Sequence, residues 1–310
     1  MLGSLPAVSL ALGVLFASPP ASVAPGAGAS RLPDVKSWAY VLQGHGEGSL
    51  PLDALAASPA ELLVVEPSVG DRPMTPDEVR RLQGPKHRPV LAYLSIGEAE
   101  SYRPYWQAAW KSPAARPAFL GPENPDWKGN FKVRYWQPEW QVIVRARVVE
   151  LAEAGFDGAY LDIIDAYEFW GPGGTKVERK TAAADMVALV LALCREARSK
   201  HPAFAVVPQN GATILDEVSE PLAAEYLSAI DGIGAEDTFF FGDKDENNAW
   251  KPQTEVVTAL GRYRAAGRRV LAVDYVTRAP AAKRFVDAAR NAGFAPYVGR
   301  RALDVLVTQP

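Results

Sequence analysis

The sequence predicts a (β/α)8 barrel, and three observations carry the prediction. Eight short apolar runs alternate with helix-compatible stretches between Ser37 and Gly299. The runs are apolar throughout instead of alternating, which marks strands buried on both faces of a parallel sheet. Polar and acidic residues gather just after the runs, where the catalytic loops of such a barrel lie. A chain of 310 residues, 48% hydrophobic and 22% charged, is long enough for one such core.

The N-terminus is read separately. Leu5 to Ala17 is an apolar run too short to span a bilayer and of the length of a signal-peptide core. Small residues follow it, at Ser22-Val23-Ala24 and at Ala27-Gly28-Ala29, although no Lys or Arg precedes it. Residues 1–29 are expected to be a leader with a small-residue linker, and residues 30–310 the barrel. The protein is then secreted, with no membrane attachment after cleavage.

The strands follow in order. They are SWAYVLQ from Ser37, ELLVVEPS from Glu61, RPVLAYLSIGEAE from Arg88 and DGAYLDIID from Asp157. FAVVPQNG from Phe204, IDGIGAEDTFF from Ile230, RVLAVDYV from Arg269 and FAPYVG from Phe294 complete the set. Helices fit between them. Val144, Val148 and Leu151 recur at helical spacing before Gly155, a helix-ending residue. Val187, Leu191 and Cys194 form a second stripe, so the single cysteine is a core thiol and no intrachain disulfide forms.

Polar groups end the strands in turn. They are Tyr40 and Gln43, Glu66, then Ser95, Gly97, Glu98 and Glu100, then Asp162 and Asp165. Gln209 and Asn210, Glu236 and Asp237, and Asp274 and Tyr275 follow. As a ring they predict a carboxylate-lined pocket. The long segment after the third strand adds Tyr102, Tyr105, Trp106, Trp110, Trp127, Tyr135, Trp136 and Trp140, enough aromatic surface for one wall of a cleft.

Several chemistries fit poorly. The histidines are His45, His87 and His201; the last two precede strands, at the wrong end for a zinc site or a Ser-His-Asp triad. GPGGTK at Gly171 lacks phosphate-loop spacing. A divalent-cation site from Asp162, Asp165 and Glu236 has no defining spacing, so neither metal nor cofactor is expected. A net charge of −3 argues against nucleic acid. Carboxyl pairs, hydroxyl-holding amides and stacking rings suit glycoside hydrolysis. Glu98, Asp162, Asp165, Glu236, Asp237 and Asp274 all remain candidates for the pair on this reading.

SWAYVLQ, LAYLSIGEAE, RYWQPEW, GFDGAYLDIIDAY, VPQNG and GIGAEDTFF, in this order, resemble the glycoside hydrolase family that includes endo-α-1,4-polygalactosaminidases. Its relatives often carry a label relating them to cysteinyl-tRNA synthetases, a reading opposed here by the absence of nucleotide motifs. The resemblance implies a (β/α)8 barrel that cleaves an amino-sugar polysaccharide without a metal. It implies Asp162 and Glu236 as the catalytic pair, Asp162 assigned as nucleophile and Glu236 as acid/base, with the reverse open. Tyr40, Glu98, Tyr160, Asp165, Gln209, Asn210, Asp237, Asp274 and Tyr275 are the expected substrate-binding residues. Val41 stands where the family commonly has Gln, and Glu66 where it often has Asp; both bear on the choice of sugar. A monomer is expected. The alternative is a barrel that binds carbohydrate without cleaving it.

Overall fold

The computed structural model describes residues 29–46, 48–174, 177–307 and 309. All but the last residue of the expected leader lies outside them. Eight strands stand on the eight apolar runs: β1 (Trp38–Val41), β2 (Leu62–Val65), β3 (Val90–Ser95), β4 (Gly158–Asp162), β5 (Ala205–Pro208), β6 (Gly232–Glu236), β7 (Arg269–Asp274) and β8 (Ala295–Val298). Nearly every residue in them is buried, as runs covered on both faces require.

All eight run parallel. β1 to β5 follow one another across one sheet, and β6 to β8 across a second. The sheets meet where Gln209 bridges Gly234. There Asp231 N–H donates to Val206 O at 2.8 Å, and Asn210 N–H to Gly234 O at 2.9 Å. On the far side the Trp38 indole of β1 donates to Ala295 O of β8 at 3.0 Å. Its ring lies 5.4 Å from that of Tyr297.

Helices α1 (Leu52–Ala57), α2 (Pro76–Gln83), α3 (Pro138–Glu153), α4 (Ala166–Trp170), α5 (Ala182–Lys200), α6 (Glu220–Ala229), α7 (Thr254–Ala265) and α8 (Ala279–Ala292) fill the connections. Two of them, α4 and α5, lie between β4 and β5, and among the described residues none follows β8; otherwise the alternation is that of a (β/α)8 barrel. The stripe Val144, Val148 and Leu151 is buried on α3. Gly155 follows α3 with φ 89°, and Phe156 N–H returns to Leu151 O at 3.3 Å, a left-handed helix end. Cys194 is buried on α5, and burial pushes its thiol up to about 11.

The long connection after β3 folds into a three-stranded antiparallel sheet, with Glu98–Glu100 and Leu120–Glu123 on either side of Asn130–Val133. Most of its rings are packing. Trp110, Tyr135 and Trp140 are buried, and Tyr105, Trp106 and Trp136 lean on the core. Only Tyr102, 64% exposed, and Trp127, 53% exposed, among these eight present a face to solvent. The expected aromatic wall is therefore two rings wide.

The barrel interior beneath the catalytic end is filled by Trp38, Tyr40, Tyr160 and Tyr297, each at most 1% exposed, with ring centres 5.2–6.1 Å apart. Tyr160 reaches across to β6, where a Cβ on Gly234 would lie 1.9 Å from its hydroxyl. Gly234 is the space that this ring occupies. Gly234→Ala should cost about 1–3 kcal/mol through overpacking, measured by urea unfolding with an unchanged m-value.

Candidate active site

Asp162 ends β4 and Glu236 ends β6, both at the C-terminal rim. The chain leaves each strand through a left-handed residue: Ile163 with φ 62° after Asp162, and Asp237 with φ 49° after Glu236. Asn210, after β5, has φ 64°. For a β-branched residue such as Ile163 this region is strained. The turn brings the Ile163 N–H back to Asp162 Oδ1 at 2.8 Å. It has room because Gly97 faces it: a Cβ there would meet Ile163 O at 2.1 Å. The other Asp162 oxygen, Oδ2, accepts from the Tyr93 hydroxyl at 2.6 Å.

Glu236 is held from two sides. Asn210 Nδ2 donates to Oε2 at 2.9 Å, while Asn210 Oδ1 accepts from the Glu236 backbone N–H at 3.1 Å. The Tyr275 hydroxyl donates to Oε1. Arg301 lies behind Tyr275, its guanidinium carbon 3.8 Å from the ring centre and Nη1 4.0 Å from Glu236 Oε1. Arg301 also pairs with Asp237.

Burial pushes the Asp162 carboxyl well above the usual range, and the charge of Glu236 pushes the same way. Asp162 therefore holds its proton more tightly than an exposed carboxyl group does. Asp165 stands on the rim. Burial raises it to about 7, helped by Glu168 and Glu236 and opposed by Lys132.

The other expected site residues divide. Tyr40 donates to Gln209 Oε1 at 3.0 Å, and both are buried, so this pair braces Asn210 from below. Tyr160 lies in the packed layer under the pair, its hydroxyl without a hydrogen bond. Glu98 is buried; its Oε1 accepts from Asn124 Nδ2 at 2.9 Å and Lys132 Nζ at 3.3 Å, while Oε2 has no partner. Asp274 faces away from the pair. Its oxygens accept from the N–H groups of Thr238, Phe239 and Phe240 at 2.8–3.0 Å, which fixes the loop after Glu236. The Asp274 carboxyl is fully buried there.

The acid ring is thus only partly a pocket lining. Glu66 and Glu100 both hold the Arg103 guanidinium, and Tyr102 donates to Glu100 at 2.6 Å. Tyr93, Lys132 and Arg301 are the neighbours that the strand-end pattern missed. Tyr93 was within reach of the alternation rule, being two residues before Ser95 on β3. Arg301 follows β8 in the terminal segment, where no local signal points to Glu236.

Asp165→Asn should stabilise the fold at pH 8 and leave it nearly unchanged below about pH 4. The raised group binds its proton more tightly folded than unfolded, so stability falls between about pH 4 and pH 7, as ionisation of the folded form is resisted. A Tm gain of about 2–4 °C at the higher pH is expected by calorimetry.

Comparison with known proteins fits this geometry. The family model of glycoside-hydrolase family GH114 matches residues 18–310. A Deinococcus radiodurans protein, uncharacterized, is 38% identical over 275 residues, covering 88% of this chain and 83% of that one. An uncharacterized Methanocaldococcus jannaschii protein is 32% identical over 285 residues, covering 87% and 78%. Among solved structures, Aspergillus fumigatus Ega3 in complex with galactosamine superposes with a TM-score of 0.65 at 17% identity, covering 90% of this chain and 96% of that one. The glycoside hydrolase domain of PelA from Pseudomonas aeruginosa gives 0.65 at 20%, covering 89% and 98%. These two likenesses are likenesses of fold. The match that spans nearly the whole sequence assigns the family, and the protein belongs to glycoside-hydrolase family GH114.

Proposed function

We propose that the protein is a secreted endo-acting hydrolase of an amino-sugar polysaccharide, with α-1,4-linked galactosamine as its substrate, and that Asp162 and Glu236 carry the reaction. The observation that supports this most is the pairing of two carboxyl groups at the half-buried ends of β4 and β6, where the charge of Glu236 acts on Asp162. The apolar run Leu5 to Ala17 supports export. A galactosamine complex of a protein with the same fold supports the choice of sugar.

The roles follow from where charge develops. In the free site the raised carboxyl is Asp162. When the glycosidic bond lengthens, positive charge grows at the anomeric carbon. A carboxylate beside that carbon is stabilised as an anion, so the proton rests on its partner near the leaving oxygen. We assign attack on the anomeric carbon to Asp162, whose negative form the Tyr93 hydroxyl and the Ile163 N–H support. Glu236 donates its proton to the glycosidic oxygen as that bond breaks and Asp162 bonds to the anomeric carbon; it then takes a proton from the incoming water, whose oxygen displaces Asp162. Asn210, Tyr275 and Arg301 keep its carboxyl oriented for both steps.

An amino sugar would bring an ammonium group to a rim that carries excess negative charge. Glu98 Oε2 is unpartnered, and Asp165 is raised by burial and, further, by neighbouring acids. A cation close to Asp165 favours its ionised form, an energy that a neutral glucan would not supply. Exposed Tyr102 and Trp127 extend the same side of the barrel and offer faces to sugar rings.

Reducing-end release from a galactosamine polymer, its acetylated form, chitosan and a neutral glucan tests the assignment. Cleavage of the galactosamine polymer is expected, and Asp162→Asn and Glu236→Gln should each lower it by at least about 100-fold with unchanged circular dichroism. Near-wild-type activity in either variant would overturn the pair. Binding of the polymers without cleavage would favour a binding barrel. Tyr93→Phe removes a donor that lowers the Asp162 pKa. The acid limb of kcat/KM should therefore move to higher pH, read from a pH–rate profile.

A further inference from the structure

A second feature lies at the opposite end of the barrel. A cavity of about 780 Å³ opens between the start of β7, the start of β8, the ends of α7 and α8, and residues 34–36. It is separated from the catalytic rim by the length of β7, roughly 17 Å at strand rise. Five cationic side chains line it, Lys36, Arg264, Arg268, Arg269 and Arg290, against the single carboxylate of Asp34. In a chain whose net charge is −3, this is a local reversal of sign.

Asp34 does not neutralise the group. Its oxygens are taken by Lys36 Nζ at 2.6 Å and Arg269 Nη1 at 3.8 Å. Arg268 donates to Ile230 O at 2.9 Å and to Ala266 O at 3.0 Å. Arg264 and Arg290 form no ion pair with a described acid; Arg264 acts on Asp34 only through space. Both lie near helix C-termini, whose carbonyls favour cations. That accounts for a cation at each helix end. It does not account for two helix ends and a strand start directing theirs into one cavity.

The backbone keeps the space open. Gly261 and Gly267 have no atom within 4 Å of where a Cβ would stand. Gly293, with φ 78°, lets the Arg264 side chain lie against it: a Cβ there would meet Arg264 Nε at 2.2 Å. Arg264 is therefore seated on the chain that forms the cavity edge. A guanidinium offers a planar fork that matches phosphate or carboxylate oxygens. The volume suits a sugar-sized molecule, being in the range of small-molecule pockets and far larger than one inorganic ion.

We propose that this cavity is a binding site for an oxyanion-bearing ligand, a phosphate ester or a carboxylate on a sugar-sized scaffold. Arg264 and Arg290 grip the oxyanion, and Lys36 and Arg269 supply the surrounding positive field. Five cations around the cavity repel a cationic polymer, so its ligand is not the amino-sugar chain proposed for the other end.

Calorimetric titration of the full chain with pyrophosphate and, separately, with tetragalacturonate tests the site and tells its two sources apart. Saturable binding of one probe at one per chain, weakening as NaCl rises, is expected. Heat with pyrophosphate alone assigns a phosphate ester, and with tetragalacturonate alone a carboxylated glycan. Arg264→Glu with Arg290→Glu should weaken the binding by at least about tenfold, while hydrolysis at the other end is unchanged. Arg290→Glu alone, on an exposed side chain, repeats the test if the double variant fails to fold. No binding of either probe at millimolar concentration, or equal binding by the variants, overturns the proposal.

Discussion

The Asp162 carboxyl, buried and beside the charge of Glu236, resists ionisation, and much of the rim answers that constraint. Asp162 has two donors, Tyr93 and its own neighbour's N–H, and Glu236 has Asn210 and Tyr275. The two Asp162 donors favour the charged form that burial disfavours. Tyr93 and the Ile163 N–H thus oppose the burial and the Glu236 charge that hold the proton on Asp162.

The same constraint explains the backbone. Ile163, Asn210 and Asp237 all adopt left-handed conformations directly after strand ends. Strain of about 1–3 kcal/mol at such a residue persists only when surrounding packing fixes it. Here Gly97 makes room for one turn, and Asp274 clamps the loop beyond another through three backbone amides. The buried layer of Trp38, Tyr40, Tyr160 and Tyr297 beneath gives the rim a rigid base.

Charge is also sorted between the two ends of the barrel. Acids gather at the catalytic rim, and five cations surround a cavity at the opposite end. Not all the rim acids serve one purpose. Glu66 and Glu100 hold Arg103, and Arg103 in turn lies 6.0 Å from the ring centre of Tyr93. This ion-pair group buttresses the tyrosine that reaches Asp162. Residue type alone marks all of these acids alike, because an acid that builds a loop and an acid that does chemistry have the same side chain.

The sequence by itself determined the eight strands, since a strand buried on both faces must be apolar at every position. It also determined that strand ends carry acids and amides, because the rim is where the chain leaves the core. The antiparallel sheet after β3 was legible only as a long aromatic segment, its short strands too irregular to show a period. What the tertiary structure alone decided is which rim groups meet. Asp162 lies 74 positions before Glu236, and Arg301 comes from beyond the last strand. Local periodicity reports which face of an element is buried. It says nothing of what stands across a barrel, because that depends on strand pairing between segments far apart in the chain.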